Sequence, residues 1–479
     1  MAVAIVRGRT TGWPLHLVVG LAGFVTTLDN TVVTVALPSI QQDLAARLPA
    51  LEWVATGYIM TFAGLMLAGG RVADMHGNRR AMISGLALFT AASLAAGLAT
   101  DIAALIAARL AQGVGAALTL PATLAVLAGQ DERRRSQGVA VWMAAGAGAL
   151  ALGPVVGGYL SQHAHWSWVF LINVPIGLVT IGLALVAVPG RDGVRDGPDG
   201  GQGRGSGRDD GRGGGQGSGR GGGAAGARLD LRGLASSAVV LAAGTFALIH
   251  GPQYGWTSPV IVATAAAAAV AAVAFVAVER RAADPMVDPA LFRNKVFTGG
   301  VLAQVLWGLG VNGVFFFTAI FLQGVLGFTP TAAGVAFVPL ALLVVLVTPL
   351  APVVERRLGP GHTVALGLVM VAAGMAMVAF LRPGDGWAQL LPAVCLIGAG
   401  SALTMPLGSA VLGAAPEGRG GIAGGVFTVS REISGLFGIA LIGVIVHEAG
   451  TFSYGYALGL LAAALLVVVG ALISLATLP

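Results

Sequence analysis

Apolar runs of about 20 residues recur from Leu15 to Thr477, separated by short polar breaks. Each is long enough to cross ~30 Å of hydrocarbon as a helix. Inside a bilayer the backbone must satisfy its own hydrogen bonds, which leaves helices or a closed barrel. A barrel needs short segments of alternating polarity; these runs are continuous. Hydrophobic residues make up 56% of the chain, charged residues 10%, and mean hydropathy is +0.85, outside the range of a water-soluble domain. The pattern predicts an all-α polytopic membrane protein with spans near 15–37, 51–70, 81–99, 102–128, 137–160, 166–188, 233–250, 259–279, 297–322, 331–354, 363–381, 388–412, 421–446 and 454–477. Fourteen spans put both termini on one side. No signal peptide is expected, because the first run carries Asp29, lacks a cleavage site and leads at once into further spans.

Basic residues set the orientation. With a cytoplasmic N-terminus, the inner loops hold Arg71, Arg79, Arg80, Arg133, Arg134, Arg135, Arg280, Arg281, Arg293, Lys295, Arg356, Arg357 and Arg419. The outer loops hold Arg47 and Arg382, so the positive-inside rule favours this topology. The net charge of +6 is then a topology signal and does not point to nucleic acid. Cys395 is the single cysteine and lies in an apolar span, where a thiol packs as a small hydrophobe.

Residues 189–232 break the pattern with a run of Gly, Arg and Asp that has almost nothing to bury, and read as a solvated cytoplasmic linker. The linker follows span six. The expected organisation is therefore an N-terminal six-helix bundle (1–188), the linker, two extra transmembrane helices (233–295) and a C-terminal six-helix bundle (296–479). Transporters are commonly built from such repeats, with the substrate site between halves near the midplane.

Asp29 lies near the middle of span one, in Leu28-Asp29-Asn30-Thr31-Val32-Val33-Thr34-Val35-Ala36-Leu37-Pro38. An intramembrane carboxylate costs several kcal/mol, about 2.5–3.5 on insertion scales, and persists where it faces a cavity, a partner or a proton path. In span four, Arg109 and Gln112 are three apart and share a helical face, beside the small residues Gly113 and Gly115. The connection between spans two and three reads Gly69-Gly70-Arg71-Val72-Ala73-Asp74-Met75-His76-Gly77-Asn78-Arg79-Arg80. Its glycines allow a tight turn, and Asp74 at a helix end can accept hydrogen bonds from a neighbouring helix N-terminus.

That connection resembles the signature loop of the major facilitator superfamily, with Gly70, Asp74, Gly77, Arg79 and Arg80 at its key positions. The span-four segment is similar to the motif whose Arg the superfamily links to proton coupling; Arg109 pairing with backbone carbonyls is the plainer alternative. Gly153-Pro154-Val155-Val156-Gly157-Gly158 in span five stacks Gly153 and Gly157 on one face, and Pro154 interrupts the ladder. It resembles the superfamily's antiporter motif, with Ala149 where a further Gly is expected. Leu28 to Pro38, the start of span six (Trp166-Ser167-Trp168-Val169-Phe170-Leu171-Ile172-Asn173-Val174-Pro175-Ile176-Gly177) and the junction Phe321 to Gly334 are similar to the fourteen-span drug:proton antiporters. The resemblance implies the major facilitator fold, two six-helix bundles plus two extra central helices, with Asp29 and Arg109 as proton-coupling candidates; Glu432, where the family more often has Gln, is a further candidate by its own charge.

Arg431 and Glu432 are adjacent in span thirteen and diverge by about 100° on a helix, so they are expected to face different partners. Glu432 reads either as a second proton or cation site or as the partner of Arg431. In span nine, Gln304, Gly308 and Asn312 lie four apart beside Trp307, Phe315, Phe316, Phe317 and Phe321. With Asn30, Gln112 and Arg431, the residues Gln304, Trp307, Asn312 and Phe316 are expected to line a pocket for flat, amphipathic molecules; helix contact and lipid exposure are the competing account. His250 and His447 fall near span ends, without metal-ligand company. Glu355-Arg356-Arg357-Leu358-Gly359 stands where a degenerate second signature loop belongs.

No P-loop lysine motif, zinc-protease motif or nucleophile elbow occurs, so the chain does not read as an enzyme and needs no cofactor or metal. The expectation is a monomeric exporter in the bacterial cytoplasmic (inner) membrane that exchanges protons for small amphipathic drugs or antibiotics. Export of one endogenous metabolite is the alternative. A membrane sensor or scaffold is the third, disfavoured because a scaffold has no use for intramembrane charge.

Overall fold

The computed structural model describes residues 13–188, 230–282, 287–416 and 419–479. Among them, fourteen helices are long and apolar enough to span a membrane: Trp13–Asp43, Leu48–His76, Asn78–Gly97, Ile102–Ala128, Glu132–His163, Trp168–Ala187, Leu231–Tyr254, Pro259–Arg281, Lys295–Gly324, Pro330–Leu358, Pro360–Ala379, Trp387–Gly413, Gly420–Glu448 and Phe452–Thr477. We number them as spans one to fourteen. The linker expected at 189–232 lies outside the described residues up to position 229; Asp230 already caps span seven, accepting from the amides of Arg232 and Gly233.

Most spans outrun their apolar stretches by several residues. Polar helix formers such as Gln41, Gln42 and Asp43 prolong span one, while capping side chains start other helices: Asp101 accepts from Ala104 N, Asp131 from Arg134 N, Asn294 from Val296 N and Thr329 from Ala332 N. Proline sets the interruptions. Span ten breaks ahead of Pro349 into a short 3-10 turn, and span twelve breaks ahead of Pro406.

The two halves repeat one pattern of packing. Span one packs on five and six, span two on four, and span three on four and six; correspondingly, span nine packs on thirteen and fourteen, ten on twelve, and eleven on twelve and fourteen. The halves meet along two seams, spans two with thirteen and five with ten, and along spans one with nine. Spans seven and eight pack together, and span seven lies against spans two and thirteen. Only 11% of the most apolar window of span eight is buried, so this inserted pair leans on the first seam from outside.

The loops define an arginine-rich end, with Arg79, Arg80, Arg133, Arg356 and Arg419, and an arginine-poor end. Hydrogen bonds join the halves at the arginine-poor end. Gln323 donates to the Val35 carbonyl at 2.9 Å, the Thr331 amide to Gln162 Oε1 at 3.1 Å, and the Thr331 hydroxyl to the Gly158 carbonyl at 3.4 Å. There too Glu52 of span two meets Gly443 and His447 of span thirteen. The molecule is latched at that end.

Candidate functional site

Asp29 sits mid-way along span one with no exposed surface, and donors converge on both oxygens of its carboxylate. Arg109 Nη1 of span four donates to Oδ2. Gln112 Nε2 donates to Oδ1 at 3.0 Å, and Asn173 Nδ2 of span six donates to the same oxygen at 2.7 Å. Gln112 also donates to Ser93 Oγ of span three at 2.8 Å, and its Oε1 accepts from Arg109 Nη1 at 2.9 Å. The i, i+3 spacing of Arg109 and Gln112 presents both to one acid.

Arg109 ties in a fifth span. Its Nε donates to the Val54 carbonyl of span two at 2.9 Å, and the guanidinium lies 4.6 Å from the Tyr58 ring centroid. Asp29, Arg109, Gln112, Ser93 and Asn173 are all buried, so a fully desolvated ion pair is held by an almost closed hydrogen-bond network. Such a pair is specific: removing one partner strands the other charge at a cost of ~3–5 kcal/mol. Arg109 Nη2 and Asn173 Oδ1 remain without a hydrogen-bond partner among the described residues, leaving a donor and an acceptor for a rearranged state. Asn173, Ser93 and Tyr58 were missed as site residues. Asn173 sits in the span-six segment already singled out, where an amide in an apolar helix was the available signal.

Span thirteen departs from expectation. Arg431 and Glu432 bind each other, with Arg431 Nε and Nη2 donating to Glu432 Oε1 at 3.1 and 2.8 Å. The 100° between adjacent positions is overcome because the long arginine stem folds back along the helix surface. The Arg431 side chain is 53% exposed and that of Glu432 15%, and Glu432 lies within electrostatic range of Tyr58 in the other half. Glu432 is thus in contact with Arg431, as one of its two readings expected.

Span nine divides. Gln304 Nε2 and Trp307 Nε1 are buried donors with no partner among the described residues. Asn312 instead donates to Gly308 O of its own helix at 3.1 Å and packs on Gly435, so it is a helix contact. Phe316 is buried against Phe317, with centroids 4.8 Å apart, and belongs to the core. Both were expected to line a pocket; in this conformation Asn312 touches span thirteen and Phe316 packs in the core. Asn30 is half-buried next to Asp29.

The signature loop is mostly helix. Gly70 and Asp74 lie on the last turns of span two, Arg79 and Arg80 on the first turn of span three, and Gly77 alone makes the turn, at φ +94°. Arg79 donates to the Leu185 carbonyl of span six, while Asp74 is exposed and makes no hydrogen bond to a neighbouring helix among the described residues. In span five, Gly153 and Gly157 press on Thr31 and Val32 of span one, and Gly158, turned by one residue, presses on Pro330 of span ten. Ala149, standing where Gly was expected, accepts from Thr31 Oγ1 at 3.3 Å.

Twelve spans in two matched halves, an inserted pair between them in the chain and a buried ion pair in one half have the architecture of a membrane transporter. The sequence model described as "Major Facilitator Superfamily" matches residues 19–439, and the chain belongs to that family. It is 32% identical over 453 residues to the methylenomycin A resistance protein of Bacillus subtilis (strain 168), covering 93% of this chain and 90% of that one. It is 34% identical over 442 residues to the puromycin resistance protein pur8 of Streptomyces alboniger (90% and 81% covered), and 31% identical over 471 residues to the lincomycin resistance protein of Streptomyces lincolnensis (95% and 90%). A crystal structure of a POT family transporter in complex with thioalcohol conjugated peptide superposes with a TM-score of 0.68 at 13% identity, covering 97% of this chain and 95% of that one, a likeness of fold.

Proposed function

We propose that this chain is a proton-coupled exporter of amphipathic drugs or antibiotics that works as a monomer in a bacterial cytoplasmic membrane. Relatives named for resistance to individual antibiotics support the cargo class. The arginine bias of the loops supports an orientation with the arginine-rich end and both termini in the cytoplasm, so the latched end faces outward. The observation that carries the coupling is the buried Asp29–Arg109 ion pair, whose charge state a single proton changes.

In this mechanism residues 1–188 and 296–479 rock as two bundles, and the conformation described here is closed outside. Substrate enters from the cytoplasm between the halves, where Asn30, the open donors of Gln304 and Trp307, and the Arg431–Glu432 pair supply polar contacts. When the outer end opens, Asp29 takes a proton from outside, and Arg109 and Gln112 lose their anionic acceptor. After the protein turns inward the proton leaves to the cytoplasm and Arg109 reclaims the carboxylate. Substrate and proton bias the same equilibrium in opposite directions.

Everted membrane vesicles test this. With an acid interior, parent vesicles take up a cationic dye and release protons when substrate is added, while Asp29→Asn vesicles do neither. Substrate transport by Asp29→Asn at the parental rate would remove Asp29 as the coupling acid, and no substrate-linked proton flux across a broad panel would sink the multidrug reading. The second reading, one dedicated antibiotic as cargo, is favoured by relatives each named for one compound; a response to a single panel member would establish it.

A further inference from the structure

Span two carries an acid that the Asp29 network does not use. Glu52 lies in the second turn of the span, at its outer end, 1% exposed, and neither carboxylate oxygen has a hydrogen-bond partner among the described residues. Val54 and Tyr58, which serve Arg109, lie about 200° and 240° further round the helix at ~100° per residue, so Glu52 faces the other way. It points across the seam at span thirteen. Gly443 makes the room: a Cβ there would come within 2.6 Å of Glu52 Oε1.

His447, one turn beyond Gly443, brings Nδ1 to 3.8 Å from Glu52 Oε1. A carbonyl only accepts, so the 2.7 Å contact of His447 Nδ1 with Gly443 O places a proton on that nitrogen and directs it along the helix. Other polar groups nearby are engaged elsewhere. Glu448 accepts from the Trp256 indole at 2.9 Å, His250 accepts from the Trp53 indole at 3.2 Å, and Arg109 lies on the far face of span two. The Thr56 hydroxyl donates to the backbone carbonyl of Glu52 at 2.6 Å, not to its carboxylate. The two indole contacts bind the inserted helix pair to Trp53 and Glu448, the immediate chain neighbours of Glu52 and His447.

We propose that Glu52 and His447 form a second proton-binding site, at the outer seam between the halves, and that a proton held there keeps the seam shut. An ionised carboxylate with no donor is strongly disfavoured in a dry seam and welcome in water. A neutral Glu52 facing neutral His447, or an ionised Glu52 facing His447 as imidazolium, carries the same one proton, and either fits the closed seam. Loss of that proton leaves a bare carboxylate against a neutral imidazole and favours separation of spans two and thirteen. The proton therefore binds the closed seam more tightly than the open one, so acid outside closes it and alkali opens it. This rests on the exporter reading and supplies it with an outer gate: the side that delivers protons also triggers closure.

The test reads the seam without transport. Nitroxides are placed at Ala50→Cys and Gly450→Cys in a Cys395→Ser background, the full chain is reconstituted in lipid nanodiscs, and inter-label distances are followed from acid to alkaline pH. The parent should shift from a short to a long distance as pH rises, Glu52→Gln should stay short throughout, and His447→Gln should move the midpoint. Asp29→Asn, with the coupling acid fixed neutral, shifts the balance of the two distances but should retain a pH-dependent step, which separates this site from the coupling acid. Should Glu52→Gln fold poorly, the His447→Gln midpoint decides alone, because an unchanged midpoint removes the site. A parental distance response retained in Glu52→Gln, or loss of any pH-dependent step in Asp29→Asn, overturns the proposal. Absence of proton-linked export with the seam response intact would instead count against the exporter reading.

Discussion

Asp29 has an ion-pair partner and two amide donors, and their replacement has different expected consequences. Asp29→Asn keeps the shape but strands the Arg109 cation, so a loss of ~3–5 kcal/mol is expected, visible as a lower thermal midpoint in detergent. Asp29→Asn with Arg109→Gln should recover much of that stability and none of the proton coupling, because no charge remains to strand. Asn173→Ala removes one neutral donor, and a smaller loss of about 1–3 kcal/mol is expected, measured by the same melt. Asp29, Arg109 and Gln112 were legible because charge in an apolar run has few structural explanations. Ser93 and Asn173 were not, since small polar side chains are common in membrane helices and only tertiary packing aims them at Asp29. Glu52 was hidden differently: an acid in an early turn of a helix reads as an ordinary response to the helix dipole.

Span five shows how one motif serves two neighbours. Gly153 and Gly157 face span one, and Gly158 faces span ten, so substitutions one residue apart should fail differently. Gly157→Leu should lower the folded yield by prying apart spans within one half, read as the monodisperse fraction on size exclusion. Gly158→Val should leave that half folded and loosen the latch, read as faster maleimide labelling of a cysteine placed at Thr331. The shared face of Gly153 and Gly157 followed from helical periodicity; which helix they touch did not, because periodicity fixes direction around one axis and nothing about what lies there. Helix ends were underestimated because hydropathy marks the hydrocarbon boundary, whereas Gln41 to Asp43 continue the helix beyond it.

For the whole chain, the fourteen spans found among the described residues and their order could be read from hydropathy alone, since crossing a bilayer leaves so few choices. The packing of the inserted pair against spans two and thirteen could not, as nothing in its sequence names a neighbour. A rocking transporter must part the latch, so a short bismaleimide joining Gln162→Cys to Thr331→Cys should stop turnover while leaving substrate binding from the cytoplasmic side intact, checked by equilibrium dye binding before and after cross-linking.

That latch holds the halves through three hydrogen bonds, from Gln323 and from the amide and hydroxyl of Thr331. At ~0.5–1.5 kcal/mol each, their net worth is on the order of a few kcal/mol. One elementary charge falling through 100 mV releases about 2.3 kcal/mol. The fastening is thus of the same size as the work a single ion delivers through such a voltage, so the coupling proposed above would suffice to offset it once per cycle.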